Sequence, residues 1–226
     1  MFRTKICGIT NVDDAQAVAA AGADAVGLNF FPGSPRFCTL AKARKIVQAL
    51  PPQICRVGVF VNATEQEIRS RIQELGLNLV QLHGDEPVEL LKSLRGVPIM
   101  RAFRPGDDFS PLSNYLTRCH VANCVPRMLL IDACQPGQYG GTGATLDWEL
   151  LAKNRPRLTG LPLVLAGGLK PANVAQAILA VEPWAVDTAS GVETSPGKKS
   201  QALITEFVEA AKAAFKGLNQ QGPSLA

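Results

Sequence analysis

The chain has 226 residues, of which 46% are hydrophobic and 19% charged, a balance that suits one well-packed globular domain. Its net charge of +4 includes no dense basic run, so nucleic acid is a poor first candidate for a partner. No apolar run reaches the ~18 residues that span a bilayer, and the first residues do not form a secretory signal. These features predict a cytoplasmic protein that binds neither nucleic acid nor membranes.

The cysteines and histidines do not form a metal-binding pattern. Cysteines occur at positions 7, 38, 55, 119, 124 and 134, without a CxxC pair. The two histidines, His83 and His120, are not at a familiar zinc spacing, so no metal site is expected. The chain also lacks the glycine spacing of Walker and Rossmann motifs, which removes the main sequence support for an ATP or NAD cofactor.

Short apolar runs alternate with helical patterns from one end of the chain to the other, which is typical of parallel βαβ units. The runs predict eight strands, at residues 3–7, 24–29, 55–61, 78–82, 98–103, 127–132, 162–166 and 184–188. Helices are predicted between them. Asn11 is placed to cap the first helix, and Thr64–Glu67 has the spacing of a capping box whose helix Gly76 can end.

Eight such units predict a single-domain (β/α)8 barrel, or TIM barrel, over residues 1–215. Residues 216–226 are predicted to form a flexible C-terminal tail. The alternative that the pattern leaves open is a doubly wound open sheet. The distinction matters because a TIM barrel carries its active site at the end of the barrel where the strands finish.

Three chemically useful side chains lie at the ends of predicted strands. Cys7 ends the first strand, His83 follows the fourth, and Asp132 ends the sixth. Each has a plain structural explanation, since a free cysteine often packs as a small apolar residue and a histidine or aspartate can hydrogen-bond nearby backbone. In a barrel, however, all three lie around one mouth, and that coincidence favours a catalytic site.

Two glycine-rich loops lie where TIM barrels commonly bind phosphate. Gly167 and Gly168 follow the seventh predicted strand, and Ser190 and Gly191 follow the eighth. Their backbone N–H groups predict a phosphate ester as the ligand, although glycines at these places can also serve only to make tight turns. A third glycine-rich stretch, 140–143, follows the sixth strand and suggests a mobile cover over the ligand.

Six blocks of the sequence, in order, resemble the phosphoribosylanthranilate isomerase family across nearly the whole chain. The blocks are KICGIT from Lys5, SPR from Ser34, QLHG from Gln81, Asp132 with GGTG from Gly140 and Asp147-Trp148, LAGGL from Leu165, and Val186-Asp187 with SGVE from Ser190. Two features depart from the family's pattern. Thr188 or Ala189 stands where the family more often has a second serine or a valine, and the stretch 104–127 is long.

The resemblance implies an Amadori rearrangement that converts N-(5-phosphoribosyl)anthranilate into 1-(2-carboxyphenylamino)-1-deoxyribulose 5-phosphate in tryptophan biosynthesis. It implies that Cys7 is the general base and that Asp132 is the general acid. It also implies that Arg36 binds the anthranilate carboxylate and that His83 orients the substrate or Cys7. The other substrate-binding residues that it implies are Gly141, Gly167, Gly168, Asp187, Ser190 and Gly191. No cofactor is expected, because the protonated imine of the substrate is itself the electron sink.

Several alternatives stay open at this point. Lys5 shares a strand face with Cys7, and a cation there, or His83, is expected to favour the thiolate. Arg36 can instead be an ordinary surface arginine. A histidine-pathway sugar isomerase on the same scaffold would use two aspartates, against which Cys7 counts, and a barrel that only binds phosphate would not need Cys7 and Asp132. The state of assembly is expected to be a monomer or a homodimer.

Overall fold

The computed structural model describes residues 1–105, 108–132, 148–158 and 160–220. Its strands are β1 Thr4–Cys7, β2 Ala25–Asn29, β3 Cys55–Phe60, β4 Leu79–Leu82, β5 Ile99–Phe103, β6 Met128–Ile131, β7 Leu163–Leu165, β8 Ala185–Thr188, β9 Glu193–Ser195 and β10 Lys198–Lys199. Its helices are α1 Val12–Ala20, α2 Leu40–Ala49, α3 Glu65–Leu75, α4 Val88–Ser93, α5 Ser110–Val121, α6 Trp148–Asn154, α7 Val174–Val181 and α8 Gln201–Gln220. Short 3₁₀ segments cover Arg155–Leu158 and Ser190–Val192.

The strands β1 to β8 form a closed barrel in which each strand pairs with the next along the chain and β8 pairs with β1. All eight pairings are parallel. The predicted (β/α)8 barrel is therefore confirmed, because an open sheet would leave two strands unpaired along one edge. Each predicted strand differs from the observed one by at most one residue at either end. Strands β9 and β10 form a small antiparallel pair after the barrel is complete.

The strands bury one face inside the barrel and the other face under the helices. The inner face is packed by small and medium apolar side chains, which include Ala25, Val57, Leu79, Met100, Leu130, Val164 and Ala185. The outer face belongs to the larger cluster between strands and helices, in which residues such as Val26, Leu82 and Ile131 are fully buried. This alternation explains why the strands are near-continuous apolar runs, as expected of a parallel sheet covered on both sides.

The helix ends follow the sequence signals. Asn11 accepts a hydrogen bond from the backbone N–H of Asp14, and Thr64 and Glu67 form the complete capping box of α3. Gly76 ends α3 in the left-handed region at φ 57°, where a glycine avoids the steric cost of a side chain. Helix α8 continues to Gln220, and the flexible tail over residues 216–226 stays a prediction. Among the residues that the structure describes, no helix is both long and apolar enough to cross a membrane.

Candidate active site

A pocket lies at the carboxyl end of the barrel, where most of the predicted site residues meet. Its wall includes Cys7, Arg36, His83, Asp132, Gly167, Gly168, Asp187 and Ser190. Gly191 is not part of this wall. Gly141, together with the glycine-rich stretch 140–143, lies outside the described residues, so its predicted role and that of the mobile cover stay predictions. The barrel thus brings residues from both halves of the sequence to one opening.

Cys7 ends β1, and the residue beside it on β2 is a glycine, which has no side chain. Cys7 pairs in register with Gly27 of β2. A Cβ atom at Gly27 would lie only 2.6 Å from Cys7 Sγ and 3.1 Å from Lys5 Nζ. The chain then turns sharply at Gly8, where φ is +75° and the N–H donates to the Gly27 carbonyl. Glycine at position 27 therefore makes the space in which the thiol and the lysine sit.

Lys5 is completely buried inside the barrel and forms an ion pair across the seam between the first and last strands. Its Nζ lies 2.9 Å from both carboxylate oxygens of Asp187, the residue that pairs with it in register on β8. Lys5 also pairs with Ala25 of β2, which belongs to the inner core, so the lysine faces the barrel interior. Cys7, two residues along β1, faces the same side.

The thiol of Cys7 experiences two opposing effects. Burial raises its pKa above the ordinary value, and the Asp187 carboxylate acts in the same direction, whereas Lys5 and Lys199 lower it. The sequence-based expectation that Lys5 favours the thiolate is correct in direction. Burial outweighs that contribution, so the net pKa of Cys7 is raised.

His83 connects two of the predicted residues. Its Nε2 lies 3.3 Å from Asp132 Oδ2, an ion-pair distance, although Nε2 is not aligned for a hydrogen bond. Its Nδ1 lies 2.8 Å from the amide nitrogen of Gln81. With the amide in this orientation Nδ1 accepts, which leaves the proton of a neutral His83 on Nε2, facing Asp132. Gln81 was not assigned a role from sequence, although its place two residues before His83 on a strand puts both on one face.

A buried ion pair outside the barrel supports the loop that carries His83. Arg101 of β5 donates to the carbonyl oxygens of Leu82 and Gly84 at 3.1 and 3.0 Å, and lies 3.2 Å from Glu86 Oε2. Both oxygens of Glu86 accept from the Gly84 N–H at 3.0 Å. Backbone groups on both sides of His83 are therefore fixed, which limits where its ring can point.

Arg36 is oriented by an acidic residue that follows the last barrel strand. Its Nε and Nη2 donate to the two oxygens of Glu193 at 2.8 and 2.7 Å, a bidentate pair. Glu193 also accepts from Lys199 Nζ at 2.8 Å, and Lys199 in turn donates to the Ala189 carbonyl at 2.9 Å. Arg36 is thus held in a network and is not an ordinary surface arginine. The sequence analysis missed Lys199 and gave Glu193 no role.

The loops after β7 and β8 form the glycine-rich part of the wall. Gly167 and Gly168 both have positive φ, 88° and 65°, which turns the backbone toward the pocket. The Thr188 hydroxyl donates to the Leu169 carbonyl at 2.7 Å and ties the two loops together. A Cβ atom at Gly191 would overlap that same carbonyl oxygen. Gly191 therefore permits the two loops to approach each other, while Gly167, Gly168 and Ser190 face the pocket.

The groups around the pocket are suited to moving protons. A thiol, a carboxyl group and an imidazole lie on one wall, and an oriented guanidinium and glycine-rich loops lie around them. Over the described part of the chain, no group of three or more histidine, cysteine, aspartate and glutamate side chains is placed to hold a metal ion. The fold and the site together define a single-domain (β/α)8-barrel enzyme with acid and base groups at its mouth.

Comparison with known proteins identifies the family. The family model for N-(5′-phosphoribosyl)anthranilate (PRA) isomerase matches residues 4–210. The N-(5′-phosphoribosyl)anthranilate isomerase of Acidithiobacillus ferrooxidans is 46% identical over 210 residues, covering 92% of this chain and 96% of the relative. This chain belongs to the N-(5′-phosphoribosyl)anthranilate isomerase family, as the six sequence blocks indicated.

Solved structures agree with this assignment. The crystal structure of phosphoribosyl anthranilate isomerase from Thermotoga maritima superposes with a TM-score of 0.83 and 41% identity, over 94% of this chain and all of that one. A phosphoribosyl anthranilate isomerase in complex with reduced 1-(o-carboxyphenylamino)-1-deoxyribulose 5-phosphate superposes with a TM-score of 0.80 and 40% identity, over 94% of this chain and 100% of that one.

Proposed function

We propose that this barrel mouth converts N-(5′-phosphoribosyl)anthranilate into 1-(2-carboxyphenylamino)-1-deoxyribulose 5-phosphate, a step of tryptophan biosynthesis, with Cys7 as general base and Asp132 as general acid. Membership of the isomerase family supports the reaction. The observation that carries the two roles is that Cys7 and Asp132, 125 residues apart in sequence, line one pocket at the ends of β1 and β6.

The rearrangement needs one proton given and one proton taken. The carboxyl group of Asp132 donates its proton to the furanose ring oxygen, and the C1′–O bond breaks to give a protonated imine. The thiolate of Cys7 then removes the proton from C2′, and the electron pair of that C–H bond moves into the imine. The resulting enolamine tautomerises to the ketone. The imine nitrogen accepts the electrons, so these reaction steps need no electron sink beyond the substrate itself.

The rest of the pocket offers a binding place for the phosphate end and for the anthranilate end of the substrate. The phosphate is expected against Gly167, Gly168 and Ser190, where backbone N–H groups at the start of a 3₁₀ segment suit an anion. Glu193 occupies the Nε and Nη2 edge of Arg36. The anthranilate carboxylate is therefore expected on the opposite edge, which Nη1 and Nη2 form.

His83 is proposed to orient Asp132 and the substrate. Its Nε2 faces Asp132, and Gln81 on one side and the fixed loop on the other hold the imidazole in place. This assignment extends the sequence-based prediction, which gave His83 an orienting role toward the substrate or Cys7. Direct proton transfer by His83 is the alternative.

The proposal is tested by following the loss of phosphoribosylanthranilate fluorescence with the parent, Cys7→Ala and Asp132→Asn. Each variant is expected to lower kcat by at least ~100-fold while the protein stays folded, because general acid or base catalysis contributes roughly 10²- to 10⁴-fold. Cys55→Ala is the matched control, since Cys55 starts β3 at the opposite end of the barrel. Near-parental turnover in Cys7→Ala or Asp132→Asn would remove that residue from the mechanism.

The expected ligand is a phosphorylated small molecule, and the expectations of no nucleic-acid partner and of a monomer or homodimer remain predictions. Size-exclusion chromatography with light scattering checks the state of assembly directly. The cytoplasmic location and the lack of a cofactor also remain predictions. Full turnover by purified protein after extensive dialysis against a chelator is the expected result for an enzyme without a cofactor.

A further inference from the structure

The interior of the barrel contains a charged pair at a place where apolar packing would be simpler. Lys5 is fully buried, and Asp187 is 6% exposed. Burying two charges costs desolvation energy that their attraction only partly offsets, so a buried ion pair is weak evidence for a stabilising role. The neighbouring positions on the inner face of the barrel are apolar, for example Ala25 and Ala185. Packing and stability alone therefore do not explain why the barrel interior contains this pair.

The pair lies beside the thiol of the proposed base. Lys5 and Cys7 are two residues apart on β1 and both face inward over Gly27. Sγ and Nζ are 2.6 and 3.1 Å from the same point, the place that a Cβ atom at Gly27 would occupy. Asp187 lies on β8, which pairs with β1 on the side away from β2, and both of its carboxylate oxygens accept from the ammonium group of Lys5. The ammonium group is thus fixed between the carboxylate and the thiol.

We propose that Lys5 is a positioning residue that stabilises the thiolate of Cys7, and that Asp187 acts through Lys5 by fixing the place of its ammonium group. The proposal rests on the proposed function in taking Cys7 as the general base. It gives Asp187 a role in addition to the substrate-binding one expected from sequence, because both of its oxygens accept from Lys5. When Cys7 takes the C2′ proton, Lys5 keeps its own protons and acts only through its charge.

The charges around the thiol support this arrangement. Burial alone lowers the pKa of Lys5, but Asp187 and then Cys7 outweigh it, so the net pKa of Lys5 is raised and the group stays protonated. Burial raises the pKa of Cys7, Lys5 lowers it, and Asp187 raises it. Over the described part of the chain, the other ionisable groups that line or adjoin the pocket are Arg36, His83, Arg104, Asp132, Glu193 and Lys199.

Opposite signs for the two partners give the proposal a sharp test. Removing the charge of Lys5 removes an attraction for the thiolate, so the pKa of Cys7 should rise. Asp187→Asn removes a repulsion while keeping an amide oxygen that accepts from the ammonium group, so the pKa of Cys7 should fall. A role confined to holding the barrel together would weaken stability in both variants without opposite shifts in titration.

The experiment measures the rate of alkylation of Cys7 by iodoacetamide as a function of pH, without substrate, by mass spectrometry of the peptide that contains Cys7. The proteins are the parent, Lys5→Met, Asp187→Asn and the control Lys45→Met, which changes an exposed lysine of α2. We expect the profile of Lys5→Met to move to higher pH by about one unit or more, as for loss of a neighbouring opposite charge. The profile of Asp187→Asn should move to lower pH, and that of Lys45→Met should match the parent.

A double variant, Lys5→Met with Asp187→Leu, carries the test if a single variant does not fold, since it leaves no charge stranded in the barrel. Its profile should also lie at higher pH than that of the parent. Coincident profiles for the parent and Lys5→Met, or shifts of Lys5→Met and Asp187→Asn in the same direction, would overturn the proposal.

The pH dependence of kcat/KM for isomerisation, measured on the same proteins, separates this proposal from the proposed function. If Cys7 is the base, the limb of that profile that reports ionisation of the thiol moves together with the alkylation profile. If alkylation shifts as expected while Cys7→Ala keeps parental turnover, Lys5 and Asp187 still act on the thiol and the assignment of Cys7 as base fails. If alkylation does not shift and Cys7→Ala is inactive, the base assignment stands and this inference fails.

Discussion

Replacing Gly27 with alanine should displace the proposed base without removing it. The added Cβ atom would lie 2.6 Å from Cys7 Sγ and 3.1 Å from Lys5 Nζ. Non-bonded heavy atoms pack at ~3.5–4 Å, so the sulfur has to move by about 1 Å, either toward the pocket or along β1. The perturbation therefore displaces the thiol, and to a lesser extent the ammonium group beside it, while both groups stay present.

The size of the effect follows from that displacement. A misplacement of about 1 Å in a catalytic group can lower the rate ~100-fold. Crowding one methyl group into a packed interior costs about 1–3 kcal/mol of folding free energy. For a chain of this length, each kcal/mol lowers Tm by ~2–4 °C. We therefore expect a large loss of kcat/KM together with a modest loss of stability.

Gly58→Ala is the matched control, because it adds the same methyl group to the neighbouring strand with similar crowding. There the Cβ atom would lie 2.6 Å from Leu77 Cδ1 and 2.8 Å from a ring carbon of Phe60, both in the cluster outside the barrel. Isomerase kinetics and thermal unfolding by circular dichroism are measured for both variants. A similar fall in Tm with a loss of kcat/KM confined to Gly27→Ala is expected. Comparable kcat/KM in the two variants would refute the idea that the position of the thiol limits the rate.

Two further predictions concern the substrate-binding groups. Glu193→Gln should raise KM about tenfold and lower kcat by less, because it weakens the charge-assisted bidentate pair that orients Arg36. Steady-state kinetics measure both constants, and a large loss of kcat at unchanged KM would contradict the prediction. Gly168→Ala should weaken the binding of inorganic phosphate and of the reduced product analogue about 10-fold or more, as measured by titration calorimetry. The reason is that a residue with a Cβ atom is strained at φ 65°, the value of Gly168 in the loop that faces the pocket. If a dephosphorylated analogue loses the same factor in affinity, the phosphate site lies elsewhere on the rim of the barrel.

The strands and the three strand-end residues could be predicted because their signals are local. Apolar runs with the right spacing placed each of the eight barrel strands to within one residue at either end. Once a barrel was assumed, the ends of its strands had to share a mouth, which placed Cys7, His83 and Asp132 together. The order of the elements along the chain is enough to place these three residues together.

The contacts between distant elements could not be predicted in this way. Glu193 is 157 residues from Arg36, and nothing near either residue specifies that the two will pair. Gly191 belongs to a glycine-rich loop of the expected kind, yet its lack of a side chain serves the approach of Leu169. The net effect on the Cys7 thiol was also beyond reach, since it depends on how burial compares with the charge of Lys5.

The seam between β1 and β8 joins the first and the last strand of the barrel, and it is also where the thiol acquires its electrostatic surroundings. Asp187 is 182 residues from Lys5, so the ammonium group obtains its counter-charge only when the final strand docks. Arg36 likewise forms its ion pair with Glu193, which follows β8, only after that strand is in place. A folding intermediate that lacked the eighth strand would place Lys5 beside the thiol without the carboxylate that fixes its ammonium group. During refolding, recovery of isomerase activity should therefore coincide with the last step of barrel closure and follow the appearance of helical circular dichroism.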